Sequence, residues 1–313
     1  MRRDVLGLAL VVAVAGCSPT RAGAAFFYAQ GRSQLESGAF EAAVRSLTRA
    51  IALNPSLVAA WSDRGLARYQ LGQYAEALVD LDSAIQLNHH MAAAYNNRGL
   101  VKRVIGRKAE ALLDFDSALA FEPNDHIVLT NRALTRLNLG EPDSALADLD
   151  RASHVRPNYA PAYNIRGLVY LDQGNERQAI EQFRAAARRD SMLREPHVNL
   201  ATAFDRLGLY DSAIVHGRRA IRLGSHTGIA YNNTGLAFYH IQQYDSALAN
   251  FAAALEQDPE LVSALSNRGI LYLEMGDTAR ARRDLEAVIA LGSDPGLTAD
   301  ARVRLRRVRG SRR

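Results

Sequence analysis

The sequence predicts an all-α protein built from eight copies of one helical hairpin, and three observations carry that prediction. Alanine recurs every 34 residues, at Ala43, Ala77, Ala111, Ala145, Ala179, Ala213, Ala247 and Ala281, without a gap. Glycine recurs at the same spacing, at Gly38, Gly72, Gly106, Gly140, Gly174, Gly208 and Gly276, and only Gln242 breaks the series. Around these markers apolar residues keep helical spacing, as Tyr95, Gly99, Ala111, Phe115 and Ala118 do in the unit Ala92 to Asp125.

Each unit reads as helix A, a turn, helix B and a short connection. The recurrent glycine marks the tight turn. Pro55, Pro123, Pro157 and Pro259 follow helix B, where proline ends one helix and can precede the next. The units span 24–57, 58–91, 92–125, 126–159, 160–193, 194–227, 228–261 and 262–295, with no insertion. Inside helix A, Gly31, Gly65, Gly99, Gly167, Gly235 and Gly269 occupy one slot, each costing roughly 1 kcal/mol against alanine. Ala133 and Ala201 fill the same slot, so close approach of helix B is the reason for a small residue, and not a special backbone angle. A large slot early in helix A holds Phe27, Trp61, Tyr95, Leu129, Tyr163, His197, Tyr231 and Leu265. The sixth unit, with His197 and Gly217 where large apolar residues are expected, is predicted to be loosely packed.

This pattern resembles the tetratricopeptide repeat family, whose 34-residue period and W..LG..Y, A...F..A, P signature these residues match. The resemblance implies a right-handed superhelical solenoid of eight hairpins, with helix A lining a concave groove that binds peptides or proteins. Residues 296–313 read as a capping helix, with Leu297, Ala301, Leu305 and Val308 as its apolar stripe.

The chain begins with Arg2, Arg3 and the apolar run VLGLALVVAVA, the layout of a signal peptide over residues 1–16. The run is shorter than the roughly 20 apolar residues a membrane span needs. It ends at Val14-Ala15-Gly16-Cys17, which resembles a bacterial lipobox, and Cys17 is the only cysteine. That resemblance implies that Cys17 carries acyl chains and begins the mature protein; Ser18, not aspartate, after it implies the outer membrane, facing the periplasm. Residues 18–23 are read as linker, reaching at most about 20 Å at roughly 3.3–3.6 Å per residue. Partners are therefore expected near the bilayer.

The formal charge of +5 is a property of the tail, since residues 296–313 carry seven arginines against Asp300. With an export signal at the other end, nucleic acid is not an expected partner. Arg302, Arg304, Arg306, Arg307 and Arg309 are expected to meet an anionic surface while the helix caps the array.

Within the repeats Arg64, Arg98, Arg132 and Arg268 are each followed sixteen residues later by Asp80, Asp114, Asp148 and Asp284. A fifth arginine, Arg166, meets Gln182, and units with Gln30, Leu200 or Thr234 in the arginine slot lack the aspartate too. The covariation predicts structural ion pairs between helix A and helix B, with Asp80 to Arg98 between neighbours as the alternative register.

No nucleophile motif, Walker loop or dinucleotide fingerprint occurs, and the repeats account for nearly all residues, so no enzyme, metal or cofactor is expected. The paired aspartates of DLDSA, DFDSA and DLDRA read as a helix surface. The candidate groove is an asparagine row, Asn97, Asn131, Asn199, Asn233 and Asn267, beside Leu66, Leu100, Leu134, Leu168 and Leu236. A carboxamide offers a donor and an acceptor, so such a row can hold an extended backbone while leucines select apolar side chains. Glycosyltransferases of the family use an asparagine ladder in this way. Alanine in the row is expected to preserve or raise the melting temperature, because asparagine costs a helix roughly 0.5–0.7 kcal/mol. The resemblance implies an adaptor in the bacterial envelope that recruits envelope enzymes, or else a pilotin-like assembly factor for a pilus or secretion complex.

Overall fold

The computed structural model describes residues 19–224 and 227–310, which form seventeen α-helices and no strand. The chain divides into two compact units, Met1–Leu139 and Gly140–Arg313.

In the first unit α1 (Pro19–Glu36) pairs with α2 (Phe40–Leu53), α3 (Val58–Gln70) with α4 (Tyr74–Leu87) and α5 (Ala92–Val104) with α6 (Lys108–Phe121), and α7 (His126–Leu137) follows. Consecutive helices pack on one another, and α3 also touches α1 and α5, so the A helices form a row. Residues 19–23, read as linker, are instead the first turns of α1. A helix rises only about 1.5 Å per residue, so their reach is less than half the extended figure. Cys17 and the rest of the expected export signal lie outside the described residues, as do the side chains of Arg307, Val308 and Arg309. No described helix is long and apolar enough to cross a membrane.

The second unit contains α8 (Pro142–Val155), α9 (Ala160–Asp172), α10 (Glu176–Arg189), α11 (Glu195–Arg206), α12 (Tyr210–Arg222), α13 (Gly228–His240), α14 (Tyr244–Gln257), α15 (Val262–Glu274), α16 (Thr278–Leu291) and α17 (Pro295–Gly310). Phe183, Phe204, Phe238 and Phe251 lie in one buried cluster. Helix α17 lays Ala301 and Leu305 against Val262, Leu285 and Val288, which closes the apolar end of the last hairpin.

The periodic residues have two distinct physical jobs. At the turns, the seven recurrent glycines sit between φ +72° and +84°, the left-handed region, and nothing stands within 4 Å of where a Cβ would project from Gly106. Backbone conformation is the requirement there. The residue after Gly106, Arg107, donates its N–H back to Lys102 O at 2.8 Å, and Gln243 makes the same closure to Phe238 O at 3.0 Å. Gln242 therefore keeps the turn by adopting φ 60° itself, at a steric cost. In mid-helix the requirement is space: a Cβ on Gly99 would lie 2.7 Å from the Phe115 ring, and one on Gly167 2.4 Å from Phe183.

The sixth hairpin is not loosely packed as its sequence suggests. A Cβ on Gly217 would lie 2.2 Å from Thr234 Oγ1, so the side chain of the next helix A fills the space that a phenylalanine or leucine takes elsewhere. Thr234 is buried and donates its hydroxyl to Ala230 O at 2.8 Å.

Candidate functional site

An arginine on helix A that faces helix B must find acceptors without leaving its hairpin, and the repeats place a carboxylate there. Arg64 donates to Asp80 through Nε at 2.9 Å and Nη2 at 2.7 Å, and Arg68 adds a third bond to Asp80 at 2.8 Å. Arg98 meets Asp114 at 2.6 Å and Lys102 joins at 2.7 Å. Arg268 forks onto Asp284 with two bonds of 2.8 Å. These hydrogen bonds hold the Arg268 guanidinium above its ordinary pKa against the opposing effect of burial. The aromatic slot covers the cation: Arg64 lies 4.9 Å from the Trp61 ring centre and Arg98 5.5 Å from that of Tyr95. Arg132 belongs to the first unit and Asp148, buried, to the second; within its own unit Arg132 bonds Asp116 at 2.6 Å.

That last contact reveals partners the sequence reading missed. The second aspartate of each paired motif serves the following repeat: Asp82 takes Arg98 at 2.7 Å, Asp116 takes Arg132, and Asp150 takes Arg166 at 2.7 Å. The neighbour of Arg98 in the preceding repeat is thus Asp82, not Asp80. Its signal was present, because Asp82, Asp116 and Asp150 each precede an arginine by sixteen residues. Arg166, lacking an aspartate in its own hairpin, uses Asp150 and Ser153 instead.

The asparagine row is tied between successive A helices. Asn97 Nδ2 donates to Ser62, Asn131 to Asn96 at 3.0 Å, Asn199 to Asn164 at 2.9 Å, Asn233 to Thr202 at 2.8 Å and Asn267 to Asn232 at 3.0 Å. The amides therefore join neighbouring repeats, so alanine in their place removes an inter-repeat hydrogen bond along with a poor helix former. The row ends at α15: Ser266 Oγ is buried without a hydrogen-bond partner, and the residue 35 positions on, in α17, is Ala301. Leu66, Leu100, Leu134, Leu168 and Leu236 are half-buried beside the row.

A cleft of about 620 Å³ opens in the second unit between α9, α11 and the turn into α13. Leu168, Val198 and Ile229 form its apolar lining, and Ile229 is 54% exposed. Asn164, Asn199, Glu195 and Thr227 place polar atoms around it, and Arg194 at its rim donates to Gly224 O at 3.0 Å. Of the groove residues singled out from sequence, Leu168 and Asn199 line this cleft. The others do not. The sequence signal for the cleft was the irregular entry to the sixth unit and the glycine at 224, where a simple proline connection is absent. Among the described residues no group of three metal-ligating side chains converges.

Stacked helical hairpins with glycine turns and an ion-pair frame define an all-α repeat protein with a protein-binding type of surface. Residues 30–95, 130–193 and 261–292 match tetratricopeptide repeat family profiles, and 235–276 match a TPR repeat profile, together more than half of the chain. The chain belongs to the tetratricopeptide repeat family. No curated protein sequence matches it. Among solved structures, the hetero-tetramer Cut9-Hcn1 of APC/C aligns with TM-score 0.72 at 16% identity over 85% of this chain, which spans only 52% of that one. A tetratricopeptide repeat protein from Parabacteroides merdae aligns with TM-score 0.60 at 20% identity over 78% of this chain and 96% of its own. PilW, described as a type IV pilus biogenesis factor, aligns with TM-score 0.57 at 20% identity over 63% of this chain and 91% of its own. At these identities the likeness is one of fold.

Proposed function

We propose that this protein is a non-enzymatic adaptor of the bacterial cell envelope, held at the outer membrane by acyl chains on Cys17, that captures an extended segment of a partner protein on its helix A face. The observation that carries the reading is the cleft between α9, α11 and α13, where apolar side chains alternate with carboxamides on a rigid helical frame. Such a lining suits an extended peptide, whose backbone seeks donors and acceptors while one or two apolar side chains seek cover. The arginines of α17 add a cationic contact for an anionic surface, lipid or polymer, near the bilayer. Envelope enzymes are the expected partners. The fold shared with PilW makes pilus or secretion-pore subunits the other outcome to look for.

The test is a photo-crosslinking residue at Ile229 in the full chain, expressed in its own host, with the same residue at exposed Val79 on α4 as control. Capture of one protein from position 229 and not from 79 supports the groove, and its identity decides between enzyme and assembly subunit. Equal capture from both positions removes the groove reading. The anchor is tested separately. Cys17→Ala should release the folded protein from the membrane fraction, and unchanged fractionation would remove the lipid reading; a lone chain binds only marginally, so more than one is expected.

A further inference from the structure

The sixth hairpin lacks the arginine–aspartate clip that the second, third and eighth hairpins carry. Its arginine slot holds Leu200, its aspartate slot holds His216, and its aromatic slot holds His197. The two imidazoles meet in the resulting gap, Nδ1 to Nδ1 at 3.1 Å, with ring centres 5.3 Å apart and planes within 19°. On its other side His216 stacks on Phe204, centres 5.4 Å apart and planes within 8°. A hydrogen bond between two ring nitrogens needs one proton and one lone pair. One imidazole therefore donates and the other accepts. If both rings are charged, two N–H groups face each other and the bond is lost.

We propose that the His197–His216 pair is an acid-sensitive latch: it joins α11 to α12 while both rings are neutral, and on acidification it releases this hairpin and with it the cleft wall that α11 forms through Val198 and Asn199. The surroundings favour the neutral pair. The charges it feels are cationic, Arg184 from α10 and Arg219 from α12, and Arg184 also lies over Phe204 at 5.4 Å. From α13, Thr234 packs beside Gly217, and His240 sits further along, stacked on Tyr210 and 3.9 Å from Asp205 of α11. Burial, then His197 and Arg184, push His216 down to about 4, and burial, then Arg219, lower His197. A folded pKa below the unfolded one means that the opened chain binds more protons. The latch is therefore fully closed above the unfolded histidine value, near 6.5, and weakens as pH falls from there toward 4.

The latch itself requires no ligand; only its consequence, that acid empties the cleft, rests on the groove reading. The test is amide hydrogen exchange on the full chain, corrected for intrinsic rates, at pH 7.5 and pH 5. His216 alone should raise the opening constant of α11–α12 roughly 30-fold over that interval, while α5–α6, clipped by Arg98 and Asp114, serves as the internal reference. The side-chain amide signal of Asn199, bonded to Asn164, should broaden or shift with the same midpoint. His197→Tyr with His216→Asn installs the residues of the seventh hairpin, Tyr231 and Asn250, and should abolish the response. Should that variant fold poorly, His216→Asn alone keeps an acceptor for His197 and should remove most of it. Parallel exchange of α11–α12 and α5–α6 in the wild type, or a pH response that survives in the folded variants, overturns the latch. Neither result bears on whether the crosslink at Ile229 captures a partner.

Discussion

Arg98 grips two aspartates, and the structure separates their worth. Asp114 is buried, with 4% of its side chain exposed, and also receives Lys102, whose side chain is 13% exposed. Asp82 is 52% exposed. Replacing Asp114 with asparagine keeps its shape but takes from Lys102 its salt-bridge partner and leaves Arg98 with only its exposed partner. Breaking a buried pair by removing one member costs about 3–5 kcal/mol. Asp82→Asn removes a solvent-screened pair, a loss of about 0–1 kcal/mol. The difference, about 2–4 kcal/mol, should appear in the opening free energy of α5–α6 amides measured by native-state exchange, which resolves one hairpin within an array that need not unfold as a unit. Half-molar salt should erase the Asp82 contribution and leave the Asp114 contribution nearly intact. Equal losses for the two variants, or an Arg98/Asp82 coupling energy larger than the Arg98/Asp114 one in double-mutant cycles, would refute the reasoning.

Gly167→Ala should destabilise the protein by about 1–3 kcal/mol through the Phe183 ring, and Phe183→Leu in the same chain should recover part of the loss in urea titrations. Gly174→Ala, where the cost is the positive φ and no atom stands in the way, should gain nothing from that second change. Gln242→Gly should stabilise by about 0.5–1 kcal/mol, the left-handed penalty of roughly 1–2 kcal/mol less the extra freedom of glycine in the unfolded chain, read as a higher urea midpoint. An Asn96/Asn131 double-alanine cycle should return a coupling of about 0.5–1.5 kcal/mol, the ordinary worth of one hydrogen bond, and zero coupling would return the row to the solvent. Ending the chain after Pro295 strips Ala301 and Leu305 from Leu285 and Val288 and should lower the melting temperature; equal melting curves would remove the cap.

The number of hairpins and the positions of their turns were legible in the sequence because each depends on one residue meeting a local demand. Gly106 must adopt a left-handed backbone, Gly99 must leave room for a ring sixteen residues on, and Ala111 must be small wherever helix B meets helix A. Such demands recur with the repeat and so print a period in the chain. The pairing of Arg64 with Asp80 belongs to the same class, since both partners lie in one hairpin of fixed geometry. What the tertiary structure alone decided are the relations between hairpins. Asn131 reaches back to Asn96, Thr234 fills the gap left by Gly217, and Val198 meets Ile229 across a cleft. These depend on how far one hairpin is offset and rotated on the next, a quantity set by the summed packing of many side chains, so no single position in the sequence records it.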